Sequence, residues 1–269
     1  MTTSGSIRIG IGGWTFPPWR GTFYPAGLAQ KRELEHAASV LTAIEINATY
    51  HGTQKPASFA NWARTAPDGF VFAVKASKYC TNRKILAEAG ESIDRFVGSG
   101  IVELGDRLGP ILWQFMATKK FDPADFAAFL SLLPARHDGV ALRHAVQVRH
   151  ASFAVPEFVA MARAAGVAIV FADAAEYPAI ADVTGDFVYA RLENAVEAVP
   201  TGYDDAALDR WRDAAREWAA GGVPDGLPYV ETAAPKRMAR DTFVFFINGA
   251  KVRAPAGAMA LIERIGGRD

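Results

Sequence analysis

Cysteine is nearly missing from this chain, Cys80 being the only one in 269 residues. No intrachain disulfide can form, and no thiolate cluster is available for zinc or iron–sulfur chemistry. Such sparing use fits a reducing compartment, so a cytoplasmic location is the expectation. Cys80 lies in Ser77-Lys78-Tyr79-Cys80-Thr81, where the neighbouring Lys78 would make the thiol reactive if it lowered the pKa. Net charge is missing as well, since Lys+Arg and Asp+Glu both number 29. Without a long-range field to gather polyanions, nucleic acid is a disfavoured partner, although local basic patches are compatible with a zero sum.

Long apolar runs are also lacking. The most apolar stretch, Phe158 to Ala172, is broken by Arg163 and Gly166 and is too short to cross a bilayer. Residues 1–6 have neither the basic end nor the apolar run of a secretory signal and read as a disordered tail. No G-x-G-x-x-G turn follows the first apolar run, and no compact spacing of His, Cys, Asp and Glu marks a metal site. No metal ligand is therefore assigned, and cofactor use stays open.

What the chain does have is regular alternation. Short runs rich in β-branched and aromatic residues occur at Ile7 to Gly12, Ala43 to Thr49, Phe70 to Ala76, Pro110 to Phe115, Ala145 to Arg149, Ala168 to Asp173, Phe187 to Glu193 and Thr242 to Asn248. Each is bounded by turn residues, as buried parallel strands are. Between most of them lie helix-period segments: Lys31 to Leu41, Pro56 to Ala66, Ser92 to Leu108, Pro123 to Leu133, Pro156 to Ala165 and Asp204 to Ala220, with a last helix at Pro255 to Ile265. Pro56, Pro123 and Pro156 start three of them, where a missing N–H costs nothing. Eight strand–helix units in this length predict one closed (β/α)8 TIM-type barrel over residues 7–269. Two units are irregular. Ala174 to Asp186 is too short for a full helix with its turns, and the proline-bearing connection at about 223–240 is either a lid or a slack insertion.

In such a barrel the working site lies at the carboxyl ends of the strands. Strand parity puts Glu45 with Asn47, Lys75 with Ala73, Gln147 with Arg149, and Tyr189 with Arg191 and Glu193 on the inner face. Gln114, Asp173 and Asn248 complete a ring of polar strand ends. Charged groups inside a barrel need partners, so the ring is either a set of internal ion pairs, such as Glu45 with Lys75 or Arg149 with Glu193, or a ligand site. Trp14 and Trp19 belong to an aromatic first loop that is either a wall for a flat ligand or a plug over the barrel. His51 and His150 are the histidines at strand ends and could move protons near neutral pH; His36, His137 and His144 read as surface or structural.

These blocks resemble a known family. Gly10-Ile11-Gly12-Gly13-Trp14 with Trp19-Arg20-Gly21 and Phe23-Tyr24-Pro25, Glu45-Ile46-Asn47-Ala48-Thr49-Tyr50, and Phe72-Ala73-Val74-Lys75-Ala76-Ser77 are similar to the YecE-like family, also termed domain of unknown function 72. Leu104 to Pro110, Val148-Arg149-His150 and Asp186 to Leu192 match its later blocks. The resemblance implies a TIM-type barrel, likened by fold alone to sugar isomerases and endonuclease IV-like enzymes. It also marks departures: Gln147 stands where the family pattern has Glu, Glu193 where it has His, strand eight ends in Asn248-Gly249-Ala250-Lys251, and Val223 to Arg240 looks inserted.

Two readings follow. In one, the chain binds and transforms a small polar or anionic molecule, sugar- or phosphate-like. Lys75, Arg149 and Arg191 would hold the anion, with Asn47, Tyr50, Gln147 and Asn248 orienting it and Trp14 and Trp19 packing its apolar face. Glu45, Glu193 or His150 would then move protons. In the other, motivated by Gln147, the barrel binds without turnover. A nuclease rests on fold analogy only. Oligomeric state is not readable from the residues.

Overall fold

The structure, a computed structural model, describes residues 4–231 and 235–267. Eight strands close into a parallel barrel: β1 (Ile7–Gly12), β2 (Ala43–Ile46), β3 (Val71–Lys75), β4 (Leu108–Gln114), β5 (His144–Gln147), β6 (Ala168–Asp173), β7 (Phe187–Leu192) and β8 (Asp241–Phe246). Each pairs with its neighbours in chain order, and β8 closes on β1 with Ile11 opposite Phe246. The expected TIM-type barrel in a single domain is the observed fold. No helix among the described residues is long and apolar enough to cross a membrane.

Alternation along the strands separates two apolar layers. Ile44, Ile46, Phe72, Val74, Ile111, Trp113 and Val146 face outward and join the helices in the larger core. The inner core is asymmetric: Ala43, Ala73, Ala145 and Ala168 line one side, whereas Phe187, Tyr189, Phe243 and Phe245 come from β7 and β8. Small residues opposite large ones let the β7 side chains reach across the barrel axis, and this positions the site above them.

Helices α1 (Glu33–Val40), α3 (Pro56–Thr65), α5 (Gly90–Val97), α6 (Pro123–Ser131), α7 (Pro156–Ala164), α8 (Asp205–Ala219) and α9 (Ala254–Ile265) form the outer layer, with short helical turns α2 (Ala48–His51) and α4 (Lys78–Thr81) at the carboxyl face. Two expectations change. The helix read from Ser92 to Leu108 stops at Val97, because Gly100 and Gly105 take positive φ (102° and 56°), and the chain continues as 3-10 turns over Ile101–Arg107. The second strand stops at Ile46 rather than Thr49: Asn47 turns into the helical region, and Thr49 Oγ1 donates to the carbonyls of Ile46 and Lys75.

Between β6 and β7 there is no helix. Thr184 instead stitches the crossover to the foot of β6, its Oγ1 donating to Val167 O (2.6 Å) and accepting from Ile169 N. The long connection from Val223 to Arg240, of which residues 232–234 lie outside the described ones, packs on this crossover: Ala181 N donates to Pro228 O, and Asp182 accepts from the backbones of Val230 and Glu231. It joins the end of α8 to the start of β8, at the amino face of the barrel. The lid alternative fails on topology, because the polar strand ends are at the opposite face.

Residues 1–3 of the expected tail lie outside the described residues, and its end is not loose. Gly5 N donates to Ala219 O, and Ser6 donates to Asp241, which also pairs with Arg143 at 2.9 Å. This cluster closes the foot of the barrel.

The tightest backbone approach is at β1, where a Cβ added to Gly10 would lie 1.9 Å from the carbonyl oxygen of Ala43 on β2. Gly10→Ala must separate these strands. A loss of about 2–3 kcal/mol is expected, checked by urea unfolding; an unchanged midpoint would contradict the packing described.

Candidate functional site

The carboxyl end of the barrel is organised around the side chain of Arg191. Three of its nitrogens donate inward: Nε to Glu45 Oε2 (3.0 Å), Nη2 to Glu45 Oε1 (3.1 Å), and Nη1 to Gln147 Oε1 (2.7 Å) and Glu193 Oε1 (2.6 Å). Arg191 is 1% exposed and Glu45 wholly buried, so this is an ion pair removed from water, favourable only because nearly every polar atom is satisfied. Tyr189 OH, reaching across from the aromatic side, adds a 2.7 Å donor to Glu45 Oε2, and Asn47 Nδ2 adds one to Oε1 at 3.1 Å. Gln147 Nε2 donates to Glu193 Oε1, and Gln114 Nε2 donates to Gln147 Oε1.

These contacts settle which charges are spent. The internal pairs expected between Glu45 and Lys75 and between Arg149 and Glu193 do not form, because Arg191 takes both carboxylates. Burial alone would push the Glu45 carboxyl up. The Arg191 and Lys75 charges, with hydrogen bonds from Arg191 and Tyr189, outweigh it and hold the group below the usual carboxylate range. With four donors on its two oxygens, Glu45 is poorly placed to carry a proton. Arg191, expected to hold a ligand anion, has its donors engaged within the protein. Glu193 differs, since its Oε2 makes no hydrogen bond among the described residues.

Above this network are cations with no carboxylate within 4 Å among the described residues. Lys75 Nζ lies 4.2 Å from the Tyr50 ring centroid, and Arg149 stacks its guanidinium 4.4 Å from the Tyr177 ring. Burial, together with the nearby Arg191, lowers the Lys75 pKa to about 8, against the opposing pull of Glu45. Burial lowers that of Arg149 too, and its Nε is buried without a partner. Lys251, beyond β8, lies over Phe16 and Trp19, and its pKa is lowered by burial while Glu45 opposes the shift. Asp173, at the end of β6, is bound by Tyr203 OH and Asn194 Nδ2.

Other candidates are placed elsewhere. Trp14 turns into the helix layer, edge-on to Trp62 at 5.1 Å, and Trp19 is 0% exposed among Phe16, Phe23 and Tyr24 with its Nε1 bound to Lys251 O. Of the two alternatives for the aromatic loop, the plug is the one observed. His150 follows Arg149 in extended backbone and so points to the opposite side; its Nδ1 accepts from Ser152 N and caps a turn. His51 packs edge-on to Tyr50, and Asn248 is exposed, neither with a hydrogen bond to the network. Cys80 is buried and donates to Ser92 O, and burial pushes its thiol up to about 12, the opposite of the activation that a lowered pKa beside Lys78 would bring. Among the described residues no three His, Cys, Asp or Glu side chains are grouped to hold a metal ion. Tyr177 is the residue that reading the sequence missed. As the lone aromatic just past strand six it carried a signal, but one without periodicity.

With this geometry in place, the chain can be compared with known proteins. A family model described as "Protein of unknown function DUF72" matches residues 8–269, and the chain belongs to that family. A DUF72 family protein of Thermotoga maritima is similar in structure, with a TM-score of 0.73 at 24% identity, covering 97% of this chain and 99% of its own. A DUF72 family protein of Enterococcus faecalis gives 0.72 at 17% identity, covering 99% and 100%. At these identities the likeness shows the fold. No curated protein matches the chain.

Removing the Glu45 charge leaves Arg191 buried and half-compensated. Glu45→Gln is expected to destabilise the fold by about 3 kcal/mol. The sign of the pH effect follows from the depressed pKa. The stabilisation is present above about pH 4.3, the unfolded carboxyl's value, and is lost as pH falls through the lower folded value. Wild-type stability should therefore fall more steeply than that of Glu45→Gln in this acid range; parallel curves in pH-dependent denaturation would refute the assignment.

Proposed function

We propose that the barrel mouth binds a small anionic molecule, sugar- or phosphate-like, between Lys75, Arg149 and Lys251. The observation that carries this is the distribution of charge: Glu45 and Glu193 are both bound to Arg191, and Lys75, Arg149 and Lys251 have no carboxylate within salt-bridge distance among the described residues. Like charges gathered at a partly desolvated strand end repel one another, and an anion relieves that repulsion while supplying acceptors to Arg149. Tyr50 and Tyr177 hold the cations in place and offer flat apolar surface to the rest of the ligand. A metabolite of the cytoplasm would meet these requirements.

Chemistry at this site falls to Glu193 rather than Glu45 or His150. Its Oε2 is the uncommitted carboxylate oxygen beside the cations, in reach of a hydroxyl or carbon acid held by them. Gln147 and Arg191 fix the other oxygen and so orient the group. Gln147 cannot itself act as a base, which favours the second reading, a binding barrel without turnover, should Glu193 prove silent. A polynucleotide fits less well, because a chain of zero net charge has no long-range field to gather a polyanion.

Inorganic phosphate serves as the probe. It should raise the Tm of the wild type, and Arg149→Gln should weaken its affinity about tenfold or more, the loss of one charge-assisted hydrogen bond, while lowering the ligand-free Tm little. Affinity should fall as pH rises through about 8, where Lys75 loses its proton. No thermal shift in millimolar phosphate, or an equal one in the variant, would sink this reading.

A further inference from the structure

The position of Lys75 suggests more than attraction. Lys75 ends β3 on the inner face, two residues after Ala73, and retains 9% of its surface. Among the described residues its Nζ has no hydrogen-bond or ion-pair partner, and it is not sealed from solvent, so its tip opens toward the mouth. On one side is the Tyr50 ring. On the others are Arg191, locked by Glu45, and Arg149, free to bind. A lysine needed only for structure would be paired. One used only as a point charge would gain nothing from desolvation and two neighbouring guanidinium groups, since these favour its neutral form.

We propose that Lys75 is an amine nucleophile that forms an imine with a small carbonyl compound whose anionic group, carboxylate or phosphate, is held by Arg149. This deepens the anion-binding reading and rests on it. The step balances without an oxidant or reductant. The neutral Nζ lone pair attacks the carbonyl carbon, a C–N bond forms, and the oxygen takes up a proton to give a carbinolamine. The C–O bond then breaks and the oxygen leaves as water, so one ammonium and one carbonyl become one protonated imine and one water. Burial beside cations sustains the neutral amine this requires: at pH 7 roughly a tenth of a lysine with pKa about 8 is unprotonated, against less than one part in a thousand for an ordinary lysine. Glu193 Oε2, the free carboxylate oxygen of the same mouth, is available to accept and return protons during addition and dehydration.

The test is reductive trapping. The full chain is incubated with cyanoborohydride and either pyruvate or glycolaldehyde phosphate, then digested and mapped by mass spectrometry. The expected result is a single dominant adduct on the peptide containing Lys75, formed faster as pH rises toward 8, suppressed by inorganic phosphate and absent from Lys75→Arg. Which probe reacts identifies the anionic group. If Lys75→Arg does not fold, suppression by phosphate in the wild type decides. An adduct confined to Lys251 or to exposed lysines overturns the proposal. No adduct with a retained phosphate-induced Tm shift overturns the imine while leaving the anion site standing; loss of both removes both.

Discussion

Everything at the carboxyl end of this barrel depends on one guanidinium taken out of water. Arg191 could be buried at 1% exposure only if its donors met acceptors of opposite charge, and these come from Glu45, on β2 across the barrel, and from Glu193, just past the end of Arg191's own strand. Once both carboxylates are bound to Arg191, the remaining cations have none. The positive mouth is thus a consequence of the internal pair rather than a separate feature. The alanines of β2, β3, β5 and β6 belong to the same solution, because only small residues on that side leave room for Arg191 and Tyr189 to cross the axis and reach Glu45.

The two ends of the barrel solve the same problem differently. At the foot, Arg143 pairs with Asp241 and lies over Phe187 and Phe243, with Ser6 supplying a further donor. That cluster is one cation and one anion, closed and self-contained. At the mouth, Glu45 and Glu193 bind Arg191 and Asp173 is bound by Tyr203 and Asn194, while Lys75, Arg149 and Lys251 have no carboxylate within 4 Å among the described residues. Cations without a carboxylate partner are thus held at the end where this architecture exposes strand termini to ligands.

The inner-face residues were legible in the sequence for a definite reason. Strand parity is a period of two, and Glu45, Lys75, Gln147 and Arg191 each stand between apolar neighbours that must face the helices, so their direction followed without any knowledge of contacts. Partnership was not legible. Parity places Arg149 and Arg191 on the same side of their strands, but which of them takes Glu193 depends on barrel stagger and on the reach allowed by alanines several strands away. Trp14 and Trp19 stay open between two readings for a related reason: they lie in a loop, where no period fixes direction, and a plug and a wall have the same composition. The break after Val97 was hidden because the apolar period runs on through Gly100 and Gly105, whose positive φ ends the helix.

Gln147 and Glu193 illustrate how a local departure from a pattern can leave the larger arrangement intact. Against the pattern that the family resemblance implies, with Glu at 147 and His at 193, an amide at 147 removes a negative charge from β5 and a carboxylate just past β7 restores one, and the two side chains are joined by the hydrogen bond from Gln147 Nε2 to Glu193 Oε1. Arg191 Nη1 contacts both, so it loses no acceptor by the exchange. What differs is the free oxygen. A carboxylate on β5 would share its side of the strand with Arg149, two residues on, whereas Glu193 on β7 has Arg191 two residues before it to fix one oxygen and leave Oε2 open. A group fixed at one oxygen and open at the other is oriented for proton transfer in a way that the four-fold bound Glu45 is not. Chemistry particular to this chain is therefore to be sought between Glu193 and Lys75.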